Sequence, residues 1–564
     1  MTAIHVTTLA DLITRVEGDT ELSAIRRRDL KSDLSCLTRL LEREAHALPA
    51  EPRALKRAMA DLHHAQLGLS AKRLQNIRSS LNFVLNRYRV ESNQQISLTD
   101  DWQALYERLD GPRERRGLIG FFRYCSGEGT TPADVTDATA SAWRQWMEDH
   151  TLRKKPGGLH RQACRIWNKV RGRGVKAPDG VALPPLTIPD NRAPSSTLPW
   201  EAFQPAFMAD VDAYAHWLSG KNLFCEHPPN RPCKAATIDL NRRHIRLLAS
   251  AAVSNGHALS SLHGLADLVD PACVRCALEH YLAKTEGDCT TYLRDLTKTL
   301  LRIARNWVRD EDKAAWIADR LRRMGSDTPG LTPKNQATLR HFDDPENVGL
   351  LLRLPVELMA DADAGRRTPS RNAVRAQLAV AIELLLVAPM RLGNLAQLRI
   401  DQHLSWVGSG TKRECFVSID ETTVKNGVPL EFPIPAPSAR LLAHYLEDHR
   451  PHLADADCIW LFPGKNNAGA GHKLSHTLGQ QLKKIIHEET GLQITPHQFR
   501  HIAAKLYLDN NPGNYEVVRR LLGHKSLKTT VNFYTGLETR AACAHYDDTL
   551  QRLRNDNATP RRRE

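Results

Sequence analysis

The chain has no long apolar run. Its longest, Ala376 to Met390, is interrupted by Glu383 and Pro389 and falls short of the ~20 residues needed to cross a bilayer, so a buried helix and no membrane partner are expected. The opening stretch MTAIHVTTLADLITRVEG lacks a basic start followed by an apolar segment; this excludes a secretory signal there and points to the cytoplasm. Cysteine is sparse, eleven in 564 residues at irregular spacings, which argues against a disulfide framework and for reduced core thiols. Two clusters have the residue types of a zinc site: Cys225 and His227 with Cys233, and Cys273 with Cys276. They lie far apart, and Cys276 continues an apolar helical pattern with Leu278 and Leu282, so no metal is expected. What the chain has in excess is positive charge. A net charge of +14 and a pI near 9.3, with Lys and Arg scattered over the whole length, favour a polyanionic partner.

At 564 residues the chain exceeds a single hydrophobic core and divides into several domains. The pattern is mainly helical, with two breaks. One is the run LPPLTIPDNRAPSSTLPW, Leu183 to Trp200, whose five prolines read as an extended linker. The other is RRMGSDTPGLTPKN, Arg322 to Asn335. The boundaries predicted are a helical bundle over 1–95, a second over 96–182, the linker 183–200, a third bundle over 201–325, a final domain over 326–548 and a basic tail over 549–564.

Each bundle repeats one theme, an apolar stripe followed by a helix with basic residues at other angles. In the first, Leu74, Ile77, Leu81, Val84 and Tyr88 share a helix with Arg73, Arg78 and Arg87. In the second, a helix carries His160, Arg161, Arg165, Trp167, Lys169 and Arg171. In the third, Leu293, Leu296, Leu300, Ile303 and Trp307 are flanked by Lys298, Arg302 and Arg305. Taken singly, each is a bundle with a solvated basic face. Three in series suit contact with successive backbone phosphates of a nucleic acid, so Arg73, Arg78, Arg161, Arg165, Lys169, Lys298, Arg302 and Arg305 are candidate DNA contacts.

The last domain concentrates the chemistry. Arg391 follows directly on the apolar helix, which delivers its guanidinium to an interior site. A β region follows, ECFVSID and then ETTVKNGVPLEFPIP, where Asn426-Gly427 marks a tight turn and puts Lys425 at a hairpin tip. His497 and Arg500, three apart after a proline, share a helix face. LLGHKSLKTTVNFYTG supplies His524 and, ten residues on, Tyr534.

This ordered set, Arg391, Lys425, His497, Arg500, His524 and Tyr534, resembles the catalytic signature of the tyrosine recombinases, or phage integrases. The likeness covers roughly Thr332 to Tyr546 in detail, with the bundle at Ala236 to Asp310 resembling the family's core-binding domain. It departs at Asn394, where many members carry an acidic residue, and in a long His524 to Tyr534 interval.

The resemblance implies a mainly α, multi-domain fold with a small antiparallel sheet in the catalytic domain, helical bundles closing round DNA, and no cofactor. It implies site-specific cutting and rejoining of double-stranded DNA through a 3′-phosphotyrosine link, by a homotetramer on two DNA sites, possible partner recombinases included, in a nucleoid-associated protein. In that chemistry Arg391 and Arg500 clamp the phosphate, His497 accepts the phenol proton, His524 bonds a phosphate oxygen and Lys425 protonates the departing 5′ oxygen. Integration or transposition of a mobile element would use such a reaction. Type IB topoisomerase-like relaxation and a non-catalytic DNA-binding role are the alternatives.

Overall fold

The computed structural model describes residues 8–88, 97–190, 197–326, 330–408, 414–421, 424, 427–464, 471–535 and 539–556. The chain separates into two compact units, residues 189–328 and residues 1–188 with 329–564.

Unit 189–328 is helical. Helices Pro205–Leu218, Ala235–Ser254, Pro271–Lys284, Thr291–Arg302 and Glu311–Arg323 enclose a core that includes Phe207, Leu248, Cys273, Leu296 and Ile317. The strongly amphipathic Thr291–Arg302 puts Leu293, Leu296 and Leu300 into that core, the period that its sequence carries.

Among the described residues the other unit holds three larger apolar cores and a small one round Tyr534. The first gathers Leu12, Leu34, Leu37, Ile77, Leu81 and Val84 from the opening helices, and the second gathers Trp102, Phe121, Phe122, Trp143 and Trp167. The Pro-rich run begins as part of this second core. Leu183 and Leu186 are buried, Trp167 Nε1 donates to the Pro184 carbonyl at 2.7 Å, and Asn168 exchanges hydrogen bonds with Leu186. Proline-rich chain that carries spaced leucines can lie against a core without ladder hydrogen bonds, which composition alone does not reveal.

The third core, the largest, spans Leu339 to Ile502. At its centre the helices Pro345–Asp363 and Pro369–Val387 pack together, and beside them runs a three-stranded antiparallel sheet of β1 (Leu404–Val407), β2 (Glu414–Ile419) and β3 (Leu430–Ile434). Cys415, Val417 and Ile419 of β2 and Leu430, Phe432 and Ile434 of β3 are buried, so the alternation turns one face to the core. Sequence reading finds β2 and β3 but not β1, whose four residues follow a one-turn helix and show only a weak alternation. Lys425 and Asn426, at the expected hairpin tip, lie outside the described residues.

The first bundle docks on this third core. Gln66 Nε2 donates to the Thr490 carbonyl at 2.8 Å and to Asn347 Oδ1 at 3.0 Å, and His63 Nε2 lies 3.2 Å from the Glu488 carbonyl. The approach is close enough to need Gly491, which sits at φ +80° and whose added Cβ would fall 2.9 Å from both His63 and Gln66.

Candidate active site

Pro389 cannot supply the N–H that would continue helix Pro369–Val387, so the buried helix stops and the chain turns outward at Arg391. The Arg391 side chain is half-buried and, among the described residues, has no hydrogen-bond or ion-pair partner; burial lowers its pKa. Asn394, one turn on, has a buried Nδ2 that is equally without a partner, so no carboxylate buttresses Arg391 from that position.

Arg500 comes from helix Gln498–Asn510 and is 4% exposed. It donates from Nη1 to the Pro389 carbonyl at 2.6 Å and from Nη2 to the Leu522 carbonyl at 2.5 Å. Those two bonds tie the segment leading to Arg391 and the helix leading to His524 to one guanidinium. Burial first, then the charge of Arg391, lowers its pKa to about 10, so it stays charged at neutral pH. Two cations sharing a partly dry site without a carboxylate are costly alone, and that cost is relieved by an anion.

Helix Tyr515–Leu522 ends in Gly523 at φ +59°, where an added Cβ would meet Leu430 Cδ2 of β3 at 2.6 Å. The left-handed cap and the close approach both require glycine, and they swing His524 round to the site. His524 Nδ1 bonds Thr530 Oγ1 at 2.9 Å, and its ring lies parallel to that of Tyr534, centroids 6.4 Å apart.

Tyr534 closes the eight-residue helix Leu527–Tyr534 and is 2% exposed among Ala504, Leu508, Val518 and Leu522. Burial pushes its pKa up to about 12, opposed by the Arg500 charge. Its hydroxyl shares a 3.0 Å hydrogen bond with Nδ1 of His501, not with His497. His497 is exposed, its ring perpendicular to that of His501 with centroids 5.2 Å apart. The structure thus brings Arg391, Arg500, His524 and Tyr534 together with His497 at the rim. It adds His501, which sequence reading missed although it directly follows Arg500. The only available signal was a second histidine four residues after the first, hence on the same helix face.

Burial first, then the neighbouring His497, Arg500 and His524, lowers the His501 pKa to about 4; burial, Arg500 and Arg391 do the same for His524. Both imidazoles are neutral in the fold, whereas an unfolded histidine takes up a proton near pH 6.5. Stability present above pH 6.5 is therefore lost as the pH falls toward 4, because only the unfolded chain binds those protons. We predict a steep drop of the urea midpoint between pH 7.5 and 4.5, made shallower by His501→Gln. An unchanged slope in that variant would remove His501 as a source.

The basic residues proposed from the bundles have diverse surroundings. Arg73 pairs with Asp33, and Lys169 faces Glu114 at 3.1 Å. Arg87 is held by Asp19 and Glu21, and Arg173 by Asp110 and Glu114. Lys298 bonds Asp295 at 3.0 Å and Arg302 donates to Asn241 Oδ1 at 3.1 Å. Arg165 and Arg305 are exposed; Arg161 is half-buried, with an Nε lacking a partner. Arg78 donates to the Leu62 carbonyl at 3.1 Å. His160 of the expected basic face is instead buried, in line with Ala163, Cys164, Trp167 and Val170. Periodicity marks the stripe but not the carboxylates that lie 40 to 63 residues away in sequence and claim Arg73 and Arg173.

Among the described residues, the only group with converging metal-ligand atoms is Asp363, His444 and His449. Both Nε2 atoms lie on Asp363 Oδ1, at 2.9 and 2.7 Å, and none of the three belongs to the cluster round Tyr534. The two cysteine clusters do not converge in this way. No helix of the described residues is long and apolar enough to cross a membrane.

Residues 356–540 match the model of the phage integrase family. The tyrosine recombinase XerA of Pyrococcus furiosus is 28% identical over 128 residues, which are 23% of this chain and 41% of that protein's length. The chain thus aligns with less than half of that curated relative. Among solved structures, XerA recombinase aligns at 15% identity over 60% of this chain and 98% of its own, with a TM-score of 0.24. A Tn1549 transposon integrase in complex with transposon right-end DNA aligns at 14% identity over 60% and 99%, with a TM-score of 0.33.

Proposed function

We propose, from the match of residues 356–540 to the phage integrase family model, that the chain is a tyrosine recombinase that cuts and rejoins double-stranded DNA at specific sites through a 3′-phosphotyrosine intermediate. The observation that carries this reading is the convergence of two guanidiniums, Arg391 and Arg500, that have no carboxylate partner among the described residues, with the phenol of Tyr534 and the imidazole of His524.

The Tyr534 oxygen forms a bond to the scissile phosphorus, and the bond from phosphorus to the 5′ oxygen breaks. Negative charge that builds on the non-bridging oxygens is met by the two arginines, which bind it more strongly in the transition state than in the substrate. A phenol with a pKa near 12 is inert at neutral pH, so proton removal has to accompany attack. His501 is the nearest proton partner, at 3.0 Å, with His497 beyond it at the solvent edge. His524, anchored through Nδ1 to Thr530, presents Nε2 to a phosphate oxygen. Lys425, on the chain between β2 and β3, is the family's donor to the leaving 5′ oxygen. Attack by a 5′ hydroxyl of another duplex reverses the step with no loss of bond energy.

Integration or transposition of a mobile element is the use that fits this reaction. A tetramer on two DNA sites is the assembly proposed, with helix Thr539–Asp556 docking on a neighbour. Tyr546 and Leu553 of that helix, seven residues apart and so on one face, are 63% and 52% exposed. The decisive experiment is trapping of a covalent complex on nicked duplexes of the element's ends and of random sequence. Attachment confined to the ends supports recombination; equal attachment to both points to relaxation of the topoisomerase kind; none on either removes the catalytic reading.

Two further predictions belong here. Cleavage should survive EDTA and need no ATP, because the arginines carry the charge stabilisation that metals supply in other nucleases; loss on chelation and recovery with Mg²⁺ would assign a different class. The first 188 residues should add phosphate contacts through exposed Arg165 and the cations of the first bundle. Each phosphate neutralised steepens the log-log salt dependence of binding by about 0.9. The full chain should therefore show a steeper slope and a longer footprint than a chain starting at Trp200; equal values would make this region a protein-binding module.

A further inference from the structure

The first and second bundles meet along helices Ala71–Tyr88, Gly111–Gly127 and Asp137–His150, and a cavity of about 500 Å³ opens between them. The junction beside it is fastened. Lys56 Nζ donates to the Glu148 carbonyl at 3.2 Å, Arg53 faces Asp149 at 3.7 Å, and Leu152 packs on the first core. The volume falls within the roughly 300–1,000 Å³ of pockets that hold small organic ligands, and it is too small for a duplex to enter.

Arg78, Arg116, Arg123 and Arg153 line the cavity, and among the described residues no Asp or Glu does. On helices Ala71–Tyr88 and Asp137–His150 the other arginines are matched, Arg73 by Asp33, Arg87 by Asp19 and Arg144 by Glu148. Among the described residues the guanidiniums of Arg116, Arg123 and Arg153 have no hydrogen-bond or ion-pair partner, and Arg78 has only the neutral Leu62 carbonyl. Burial lowers the pKa of Arg78, and burial together with the charge of Arg78 lowers that of Lys154. Four converging cations without a counter-charge repel one another, and the free protein tolerates them at a cost that a bound anion removes. The rest of the wall mixes polar Gln75, Asn82 and Thr151 with aromatic surface: Trp143 is buried, and partly exposed Trp146 is stacked on the His150 ring at 5.6 Å with an interplanar angle of 6°. Guanidiniums take phosphate oxygens in bidentate pairs, and indoles take bases or sugars.

We propose that this cavity is a binding site for a nucleotide, its phosphate held by Arg78, Arg116, Arg123 and Arg153 and its base or sugar lying against Trp143 and Trp146. The proposal rests on the DNA-binding reading above only for its source, an unpaired nucleotide of a DNA strand rather than a free nucleotide. The site is separate from the Tyr534 cluster, and it gives the two N-terminal bundles a ligand of their own.

The test uses the full chain, wild type and R123Q/R153Q, titrated with thymidine monophosphate, with a labelled single-stranded thymidine oligonucleotide and with the same strand in a duplex. Each lost charge-assisted contact should weaken nucleotide binding about tenfold or more. Weakening for the single strand but no binding of the monophosphate assigns the site to DNA. Weakening for both ligands assigns it to nucleotides in general. Equal titrations of wild type and variant overturn the proposal, as does weakening confined to the duplex, which would mean an outer backbone contact. Arg116 and Arg153 are exposed, so R116Q/R153Q repeats the test should R123Q fail to fold. Covalent attachment of Tyr534 to DNA is measured on the same wild-type protein. Its failure would remove the recombinase reading and leave the cavity standing, and the reverse pattern would remove the cavity alone.

Discussion

Tyr534→Phe is expected to abolish strand cleavage, a loss on the order of 10⁴-fold or more given what removal of a covalent nucleophile costs elsewhere, while DNA affinity stays unchanged. The substitution deletes one oxygen and no charge. The ring that lies parallel to His524 and fills the pocket of Ala504, Leu508, Val518 and Leu522 is retained, so the fold should hold. The one cost to the free protein is the hydrogen bond to His501, on the order of 1 kcal/mol. Covalent complexes are counted on a nicked duplex whose cut end diffuses away, with affinity measured in parallel by gel shift. Covalent attachment that persists in the Phe variant would transfer the nucleophile to another residue.

The second large effect separates the two arginines. Arg391→Ala and Arg500→Ala should each lose about 3 to 4 kcal/mol of transition-state stabilisation, the amount typical of a missing oxyanion donor. Their stabilities should diverge. Arg500 holds the Pro389 and Leu522 carbonyls from a 4% exposed position, so its removal leaves two buried acceptors without a donor and should lower the thermal midpoint as well. Arg391 has no hydrogen-bond or ion-pair partner among the described residues and adds to the positive potential on Arg500. Arg391→Ala should therefore leave the midpoint unchanged or raise it while cleavage collapses, the signature of a group kept for function against stability. Arg391→Lys should not restore the rate, because an ammonium cannot form the paired bonds of a guanidinium. Wild-type cleavage in either Ala variant would take that arginine out of the site; a fall in stability for Arg391→Ala equal to that for Arg500→Ala would refute the division of roles.

The composition of the site also accounts for its resting state. With Tyr534 protonated and buried, and with His501 and His524 neutral, the free protein carries its two cations without a reactive oxygen. A phosphate brought between the arginines supplies the missing negative charge. It also raises the proton affinity of the neighbouring imidazoles, since an anion favours their charged form.

Much of this was legible in order and period. The apolar run through Ala376 to Leu385 is a buried helix, and the alternation in ECFVSI and LEFPI faces two strands to one core. The glycine of the Leu-Gly-His turn and the spacing from His497 to Arg500 follow from local geometry alone, because cap and helix-face relations depend on neighbours within about four residues. What local pattern does not encode is which residue arrives from far along the chain. That Asp33 would claim Arg73, that Leu183 and Leu186 would fold onto the second bundle, and that His501 rather than His497 would meet a tyrosine 33 residues away are tertiary outcomes. The same holds for four arginines gathered between two bundles with no carboxylate among the described residues that line their cavity. A side chain's charge and helix face are written in its own segment, but its partner, its burial and therefore its chemistry are set by the segment packed opposite.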